Sequence, residues 1–321
     1  MKSATLTLQD AVLKPGIANP IIDRLIFMRD QMEANNDAPL DINPTIIFMG
    51  GGMRGVYSCG VAVGLRDAGL DKVFKNKVGV SSGSFVAAAS DAGQEDSVLD
   101  VFSNVLPNTN FINPLRLGNI IDLAMLREVV SNPPNSLDQS AIRQNKKTKL
   151  HIGMTEFKTG LAHYLQVDQM PENFNIIDAL IASSCLPGMT KTIMEIGGVR
   201  YCDGLSGCSN PIGYAVNVLK STDVLLVLNA PLSRRLKVSR AERYLNHLLL
   251  PDFPSEFVTA HNSRYERSAI KAKSAIPEGI NVGVICPETN LFRQTSSNQK
   301  LIHLLADSAI NQVDELFQKA A

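Results

Sequence analysis

Hydrophobic positions fall into short blocks that repeat in one order along most of the chain. Thr45-Ile46-Ile47-Phe48-Met49 is a continuous apolar run, the pattern of a strand buried on both faces. A glycine cluster follows, and then Val56, Cys59, Val63 and Leu65 recur at helical spacing, which predicts a helix over residues 56–68. The unit comes again: Lys77-Val78-Gly79-Val80 reads as a brief strand, Ser81-Ser82-Gly83 as a turn, and Ser84 to Ser90 as a helix of small residues. Further strands are expected at 148–153, 163–167, 224–228 and 280–286, and a hairpin at 193–196 and 199–201. Helices are expected at 176–183, 212–219, 240–249 and 298–317. Strands alternating with helices predict an α/β fold in three layers, a mostly parallel central sheet covered by helices on both faces.

The ends and one internal stretch depart from this texture. Ile21-Ile22-Asp23-Arg24-Leu25-Ile26-Phe27-Met28-Arg29 is amphipathic, and Glu33 to Asp37 is polar, so residues 1–43 read as a helix and a linker. The Ile26-Phe27-Met28 stripe reads as a face docked on the domain rather than a membrane anchor. Residues 106–147 are rich in Asn and Pro and show no clear strand, which predicts an insertion over one edge of the sheet. The organisation expected is therefore 1–43 as a leading helix and linker, 44–229 as the main domain, and 230–321 as a mainly helical extension packed on it. Leu245, Leu248, Leu249 and Leu250 read as core or subunit contacts within that extension.

Composition narrows the function classes. Of 321 residues, 45% are hydrophobic and 19% charged, which excludes a disordered or collagen-like chain. Lys plus Arg and Asp plus Glu are each 31, so no net positive charge is available to hold a nucleic acid by its phosphates, and none is expected as a partner. Lys146-Lys147-Thr148-Lys149 is a local basic run, read as a solvated approach to a strand. Five cysteines at scattered positions (59, 185, 202, 208 and 286) read as reduced thiols. Neither a secretory h-region nor an unbroken apolar span of membrane length is visible, so a cytoplasmic chain that at most touches a membrane from outside is expected. There is no Trp to act as an interfacial anchor.

Three sequence features bear on chemistry. Gly79-Val80-Ser81-Ser82-Gly83 matches G-x-S-x-G between a predicted strand and a small-residue helix, the setting in which a serine hydroxyl stands clear on a sharp turn. A plain strand-to-helix turn with a capping serine has the same pattern. Gly50-Gly51-Gly52-Met53-Arg54-Gly55 also joins a strand to a helix, and such a loop can turn its amides toward a phosphate or toward the oxyanion of an acyl intermediate. The spacing of Gly50, Gly52 and Gly55 is also that of a dinucleotide loop, but Asp71 precedes the second strand instead of ending it, which weakens that reading. Tyr201-Cys202-Asp203-Gly204 follows the hairpin and presents a carboxylate from a tight turn, although Asp-Gly is also an ordinary turn dipeptide. The five histidines (His151, His163, His247, His261 and His303) lie in no recognisable local pattern; a Ser, acid, His order would require His261 or His303. Cys202 and Cys208 make a poor metal site without clustered histidines, and no metal or cofactor is expected.

Together, a glycine-rich loop, a G-x-S-x-G serine and a later Asp-Gly in that order resemble the patatin-like phospholipases. Ala182-Ser183-Ser184-Cys185-Leu186-Pro187-Gly188 resembles that family's small-residue turn before its aspartate, and Ser209-Asn210-Pro211 its Asn-Pro after it. Phe111-Ile112-Asn113-Pro114-Leu115-Arg116 and Asp122-Leu123 resemble the insert of a bacterial branch. The resemblance implies a patatin-like fold and a lipid acyl hydrolase of the phospholipase A or esterase type, with Ser81 as nucleophile and Asp203 as base. It implies an oxyanion loop at Gly51, Gly52, Met53 and Arg54, with Gly50, Gly55, Gly79, Gly83 and Gly204 as supporting glycines. Arg54 either orders this loop, meets a lipid phosphate, or is a solvated arginine at a helix start. The implied partner is a phospholipid or other acyl-lipid at a bilayer or micelle surface. Leu205 follows Asp203-Gly204 where the family has Gly or Ala, and this bulk beside the dyad keeps a second reading open, a lipid- or acyl-binding protein with little or no turnover.

Overall fold

The computed structural model describes residues 6–34, 41–232 and 276–317, apart from residues 117, 192 and 292, together with residue 254. The helix expected at 240–249, the leucines at 245 and 248–250, and His247 and His261 lie outside the described residues. The strands are β1 (Pro44–Phe48), β2 (Asn76–Val80), β3 (Lys149–Glu156), β4 (Ala162–Gln166), β5 (Met194–Ile196), β6 (Val199–Asp203), β7 (Asp223–Val227) and β8 (Asn281–Ile285). The helices are α1 (Pro20–Glu33), α2 (Val56–Asp67), α3 (Ser82–Ala92), α4 (Glu95–Asp100), α5 (Leu123–Ser131), α6 (Gln139–Gln144), α7 (Ile176–Ser184), α8 (Pro211–Asn217) and α9 (Gln299–Phe317).

The α/β expectation holds. β3, β2, β1, β7 and β8 pair in parallel in that order, and β4, β6 and β5 add antiparallel pairings at the β3 side, so the sheet is mixed. Alternation along the strands sorts the side chains into two cores. Ile46, Phe48, Leu225 and Val227 face a large cluster with α1, α2, α3, α7 and α9. Ile47, Val224, Leu226, Val282 and Val284 face a smaller one with α8 and the segment containing Leu8 and Ala11. Both faces of the parallel strands are therefore covered, which is why these segments read as unbroken apolar runs.

Local rules explain how the elements begin and attach. Asn19 caps α1, its side-chain oxygen accepting from Ile21 N–H at 3.1 Å, and Pro20 opens the helix where its missing N–H costs nothing. Met28 of α1 is buried while Phe27 is 45% exposed, so the Ile26-Phe27-Met28 stripe splits between core and surface. Arg24 of α1 grips Asp223 of β7 with two bonds, Nε to Oδ1 at 2.5 Å and Nη2 to Oδ2 at 3.0 Å. The inward face of α9 (Ile302, Leu305, Ala306, Ala309, Val313 and Leu316) repeats at steps of three and four and packs along α2.

Residues 106–147 correct one expectation. They hold α5, which packs on α7, and α6, which packs on α3, so the segment covers the helical layer rather than a sheet edge. The chain between α3 and this segment forms α4 and then a single π-helical turn, Val101–Val105.

Register places the two segments of chemical interest. Residues 151–153 of β3 pair with both β2 and β4, and residues 154 and 155 with both β4 and β6. A strand has two edges, so β4 takes one edge of β3, and β2 and β6 share the other in tandem. β2 runs parallel and ends with Val80 opposite Gly153; β6 runs antiparallel and ends with Asp203 opposite Met154. The C-terminal ends of β2 and β6 therefore meet head-on, and the residue after the first is Ser81.

Candidate active site

Ser81 stands between β2 and α3 with φ 55° and ψ −130°, one of two non-glycine residues with positive φ among those described. Such a conformation costs on the order of 1–3 kcal/mol and persists only where the surroundings hold it. Here three hydrogen bonds do so. Ser81 N–H donates to Ser183 Oγ at 2.7 Å, and Ser81 C=O accepts from Ser84 Oγ at 2.6 Å and Ser84 N–H at 2.8 Å. Ser183 Oγ in turn donates to Gly153 C=O at 2.7 Å. The hydroxyl of Ser81 donates to Asp203 Oδ2 at 2.7 Å.

Asp203 is fully buried, yet both carboxylate oxygens have donors. Oδ1 accepts from Leu205 N–H at 2.8 Å, while Thr155 Oγ1 donates to Asp203 C=O at 2.7 Å and Asp203 N–H donates to Cys185 C=O at 2.9 Å. Gly204 closes the turn: a Cβ there would stand 2.3 Å from Gly153 O and 2.8 Å from Val80 Cγ1, so only glycine lets this turn lie against the end of β2. Its N–H donates to Ser183 C=O at 3.2 Å, so Ser183 touches the backbone on both sides of the Ser81–Asp203 bond. Leu205 is half-buried, and its contribution is the main-chain bond to Oδ1; its bulk does not separate the pair.

The glycine-rich loop passes beside this pair. A Cβ on Gly50 would lie 2.7 Å from Ser81 Cβ, which explains glycine at the point of closest approach. Gly52–Gly55 form one tight helical turn leading into α2. Gly51 N–H donates to Ser82 Oγ at 2.9 Å, Met53 N–H to Gln294 C=O at 2.9 Å and Arg54 N–H to Gly51 C=O at 3.3 Å. Among the described residues, Gly52 N–H meets no acceptor. Arg54 is buried, which sets aside the solvated reading; Nη1 donates to Asn290 Oδ1 at 3.1 Å and Nε to Gly51 C=O at 3.4 Å. Asn229, just past β7, carries no sequence pattern that singles it out. Its Oδ1 accepts from Ser58 N–H and Oγ, at 3.2 and 2.8 Å, and its Nδ2 donates to Met49 C=O at 2.5 Å, tying the loop's two flanks together.

No described histidine reaches Ser81. His151 is buried between Asn76 and Tyr214, its Nδ1 3.0 Å from Tyr214 Oη, and burial pulls its pKa down to about 4, so the ring is neutral. His163 on β4 meets Tyr201 with tilted rings, 5.0 Å between centroids, and His303 lies exposed on α9. The thiols near Asp203 are quiet as well. Burial, with the negative charge of Asp203 second, pushes Cys185 up to about 12, and Cys202 is raised for the same reasons. Cys202 and Cys208 donate to the carbonyls of Thr155 and Met154. What the arrangement can do chemically is present a hydroxyl to an electrophile, with a hydrogen-bonded carboxylate behind it and the N-terminus of an eleven-residue helix beside it.

Comparison with known proteins bears on the family and the fold. Residues 46–216 match the family model described as patatin-like phospholipase. The Escherichia coli (strain K12) protein YjjU, itself uncharacterized, is 26% identical over 211 residues, covering 60% of this chain and 55% of YjjU. The match thus spans about half the length of that relative. The crystal structure of VipD from Legionella pneumophila superposes with a TM-score of 0.52 at 13% identity, covering 88% of this chain and 67% of that one, a likeness of fold.

Proposed function

Because the chain belongs to the patatin-like phospholipase family, we propose that it is a lipid acyl hydrolase working through Ser81 and Asp203. The observation that carries this reading is the 2.7 Å bond from Ser81 Oγ to Asp203 Oδ2, made by a serine held in a strained turn. Ser81 Oγ attacks the ester carbonyl carbon as its proton passes to Asp203. The carbonyl oxygen becomes an oxyanion, and Gly52 N–H, which has no acceptor among the described residues, is the loop amide assigned to receive it. The amides of Gly51, Met53 and Arg54 hold the loop in shape for that donor. A single donor of this kind is worth about 10²–10³ in kcat. The alcohol portion leaves with the proton from Asp203, and water then hydrolyses the acyl-enzyme with Asp203 again accepting a proton.

The substrate is an acyl-lipid presented at a bilayer or micelle surface. Among the described residues no helix is long and apolar enough to cross a membrane, so the lipid would be met at its surface. The test is release of fatty acid from phospholipid vesicles and mixed micelles by the wild type and by Ser81→Ala. Release that disappears in Ser81→Ala supports the hydrolase. Saturable vesicle binding without release, equal in both proteins, would favour the lipid-binding reading instead.

A further inference from the structure

The glycine-rich loop leaves β1 and enters α2, and much of what fixes its shape comes from distant parts of the chain. A helix start usually has its second or third N–H capped by the side chain just before its first residue. Before α2 that residue is Gly55, which has no side chain to offer, and a Cβ there would stand 2.9 Å from Ser82 Oγ. Asn229 supplies the cap from beyond β7 instead. Its Oδ1 accepts from the N–H of Ser58, the third residue of α2, at 3.2 Å and from the Ser58 hydroxyl at 2.8 Å. The same side chain donates from Nδ2 to Met49 C=O at 2.5 Å. Met49 immediately precedes the loop and Ser58 lies just inside the helix that follows it, so one amide side chain sets the spacing of the loop's two ends.

The chemistry of the two ends calls for an amide. Ser58 N–H can only donate and Met49 C=O can only accept, so the group between them needs an acceptor and a donor side by side. Asn229 is buried, and removing it would strand polar groups of Ser58 and Met49 without their partner. Its stem also limits where the loop can lie, since a Cβ on Gly51 would stand 2.6 Å from Asn229 Cβ. On Gly52 the loop meets a second element: a Cβ there would stand 2.7 Å from Gln294 O, the oxygen that accepts from Met53 N–H at 2.9 Å. Gly51 and Gly52 are thus held between residues 229 and 294, both beyond the stretch 46–216 that matches the family model. We infer that Asn229 is a positioning residue, which holds the glycine-rich loop so that Gly52 N–H is aimed where an acyl oxyanion forms; this rests on the hydrolase reading above.

Asn229→Asp tests this at constant shape, because a carboxylate still accepts from Ser58 but cannot donate to Met49 C=O. Turnover of p-nitrophenyl butyrate is counted per serine that a fluorophosphonate labels at saturation. On that scale kcat is expected to fall about 10- to 100-fold with KM within two-fold. The inhibition constant of a trifluoromethyl ketone, which forms a tetrahedral oxyanion on a serine, should rise by the same factor. Hydrogen exchange should quicken at least ten-fold in peptides covering residues 49–58 and stay as in the wild type over residues 82–92. Gly51→Ala presses on the same contact from the loop side and should show the same split, which decides the matter if the carboxylate unsettles the fold. Unchanged turnover per labelled serine in either folded variant, a loss explained by fewer labelled serines, or unchanged exchange over 49–58 would overturn the assignment. Ester hydrolysis that survives Ser81→Ala would overturn the hydrolase reading instead, and the exchange measurement, which needs no turnover, would still decide whether Asn229 holds the loop.

Discussion

The unit formed by β2 and α3 buries polar groups at both ends, and the two ends are built differently. At the C-terminal end of β2 the strained Ser81 has its N–H, C=O and hydroxyl all bonded, and both oxygens of Asp203 are matched to donors. At the other end Lys77 Nζ donates to Ser90 C=O at 2.7 Å and Oγ at 3.1 Å, with Asp91 and Glu95 close by. There no backbone is strained. Burial raises the pKa of Asp91 to about 6, with Lys77 and Asn145 only partly offsetting it. Glu95 is raised too, chiefly by burial, and its carboxylate oxygens have no hydrogen-bond partner of ordinary geometry among the described residues. A buried, displaced acid is thus no mark of catalysis in this protein. What distinguishes the site is that its hydrogen bonds converge on one serine and hold a costly backbone conformation in place.

Breaking the upper end should have the largest effect. Asp203→Asn keeps the shape but cannot take the serine proton, and kcat for ester hydrolysis is expected to fall at least 10³-fold with the fold intact by circular dichroism. Near wild-type turnover would detach Asp203 from the chemistry. Ser183→Ala should come next. It leaves Ser81 N–H and Gly153 C=O buried without their partner, each worth about 1–3 kcal/mol, and frees the strained turn to relax. A drop in kcat of about 10- to 100-fold with KM within two-fold is expected from steady-state kinetics. An unchanged kcat would show that Ser81 keeps its conformation without Ser183.

The lower end should answer in stability alone. Because Asp91 is raised from 3.8 to about 6, the folded state holds that proton more tightly than the unfolded state. Its contribution is therefore greatest below pH 4 and is lost as pH rises through about 6. Asp91→Asn removes this slope. Relative to wild type the variant should gain stability between pH 4 and 7, on the order of 2 kcal/mol, with kcat at pH 7 unchanged. His151, lowered to about 4, tilts the wild-type curve the other way as pH falls, so the difference between the two proteins is the quantity to read from chemical denaturation. A difference that stays flat with pH would contradict the assignment.

Much of this architecture was legible in the chain. The apolar runs at 45–49 and 77–80 mark buried strands, and the glycines and serines after them mark the loops, because period and turn chemistry act locally. The meeting of Ser81 and Asp203 was legible only through resemblance. It depends on β2 and β6 sharing one edge of β3, and register between strands so far apart in sequence leaves no local pattern. Ser183 stood inside a recognised motif, yet nothing in a run of small residues says which hydroxyl clamps a distant backbone. Asn229 and the π-helical turn had no pattern at all, since one follows an ordinary apolar strand and the other continues a short helix.

The central claim is that Ser81 is an activated nucleophile depending on Asp203, and a fluorophosphonate tests it without any knowledge of the lipid. Intact mass after incubation should show one adduct on the wild type, none on Ser81→Ala, and labelling of Asp203→Asn slowed at least 100-fold. An adduct that persists in Ser81→Ala, or an Asp203→Asn protein that labels at the wild-type rate, would contradict it.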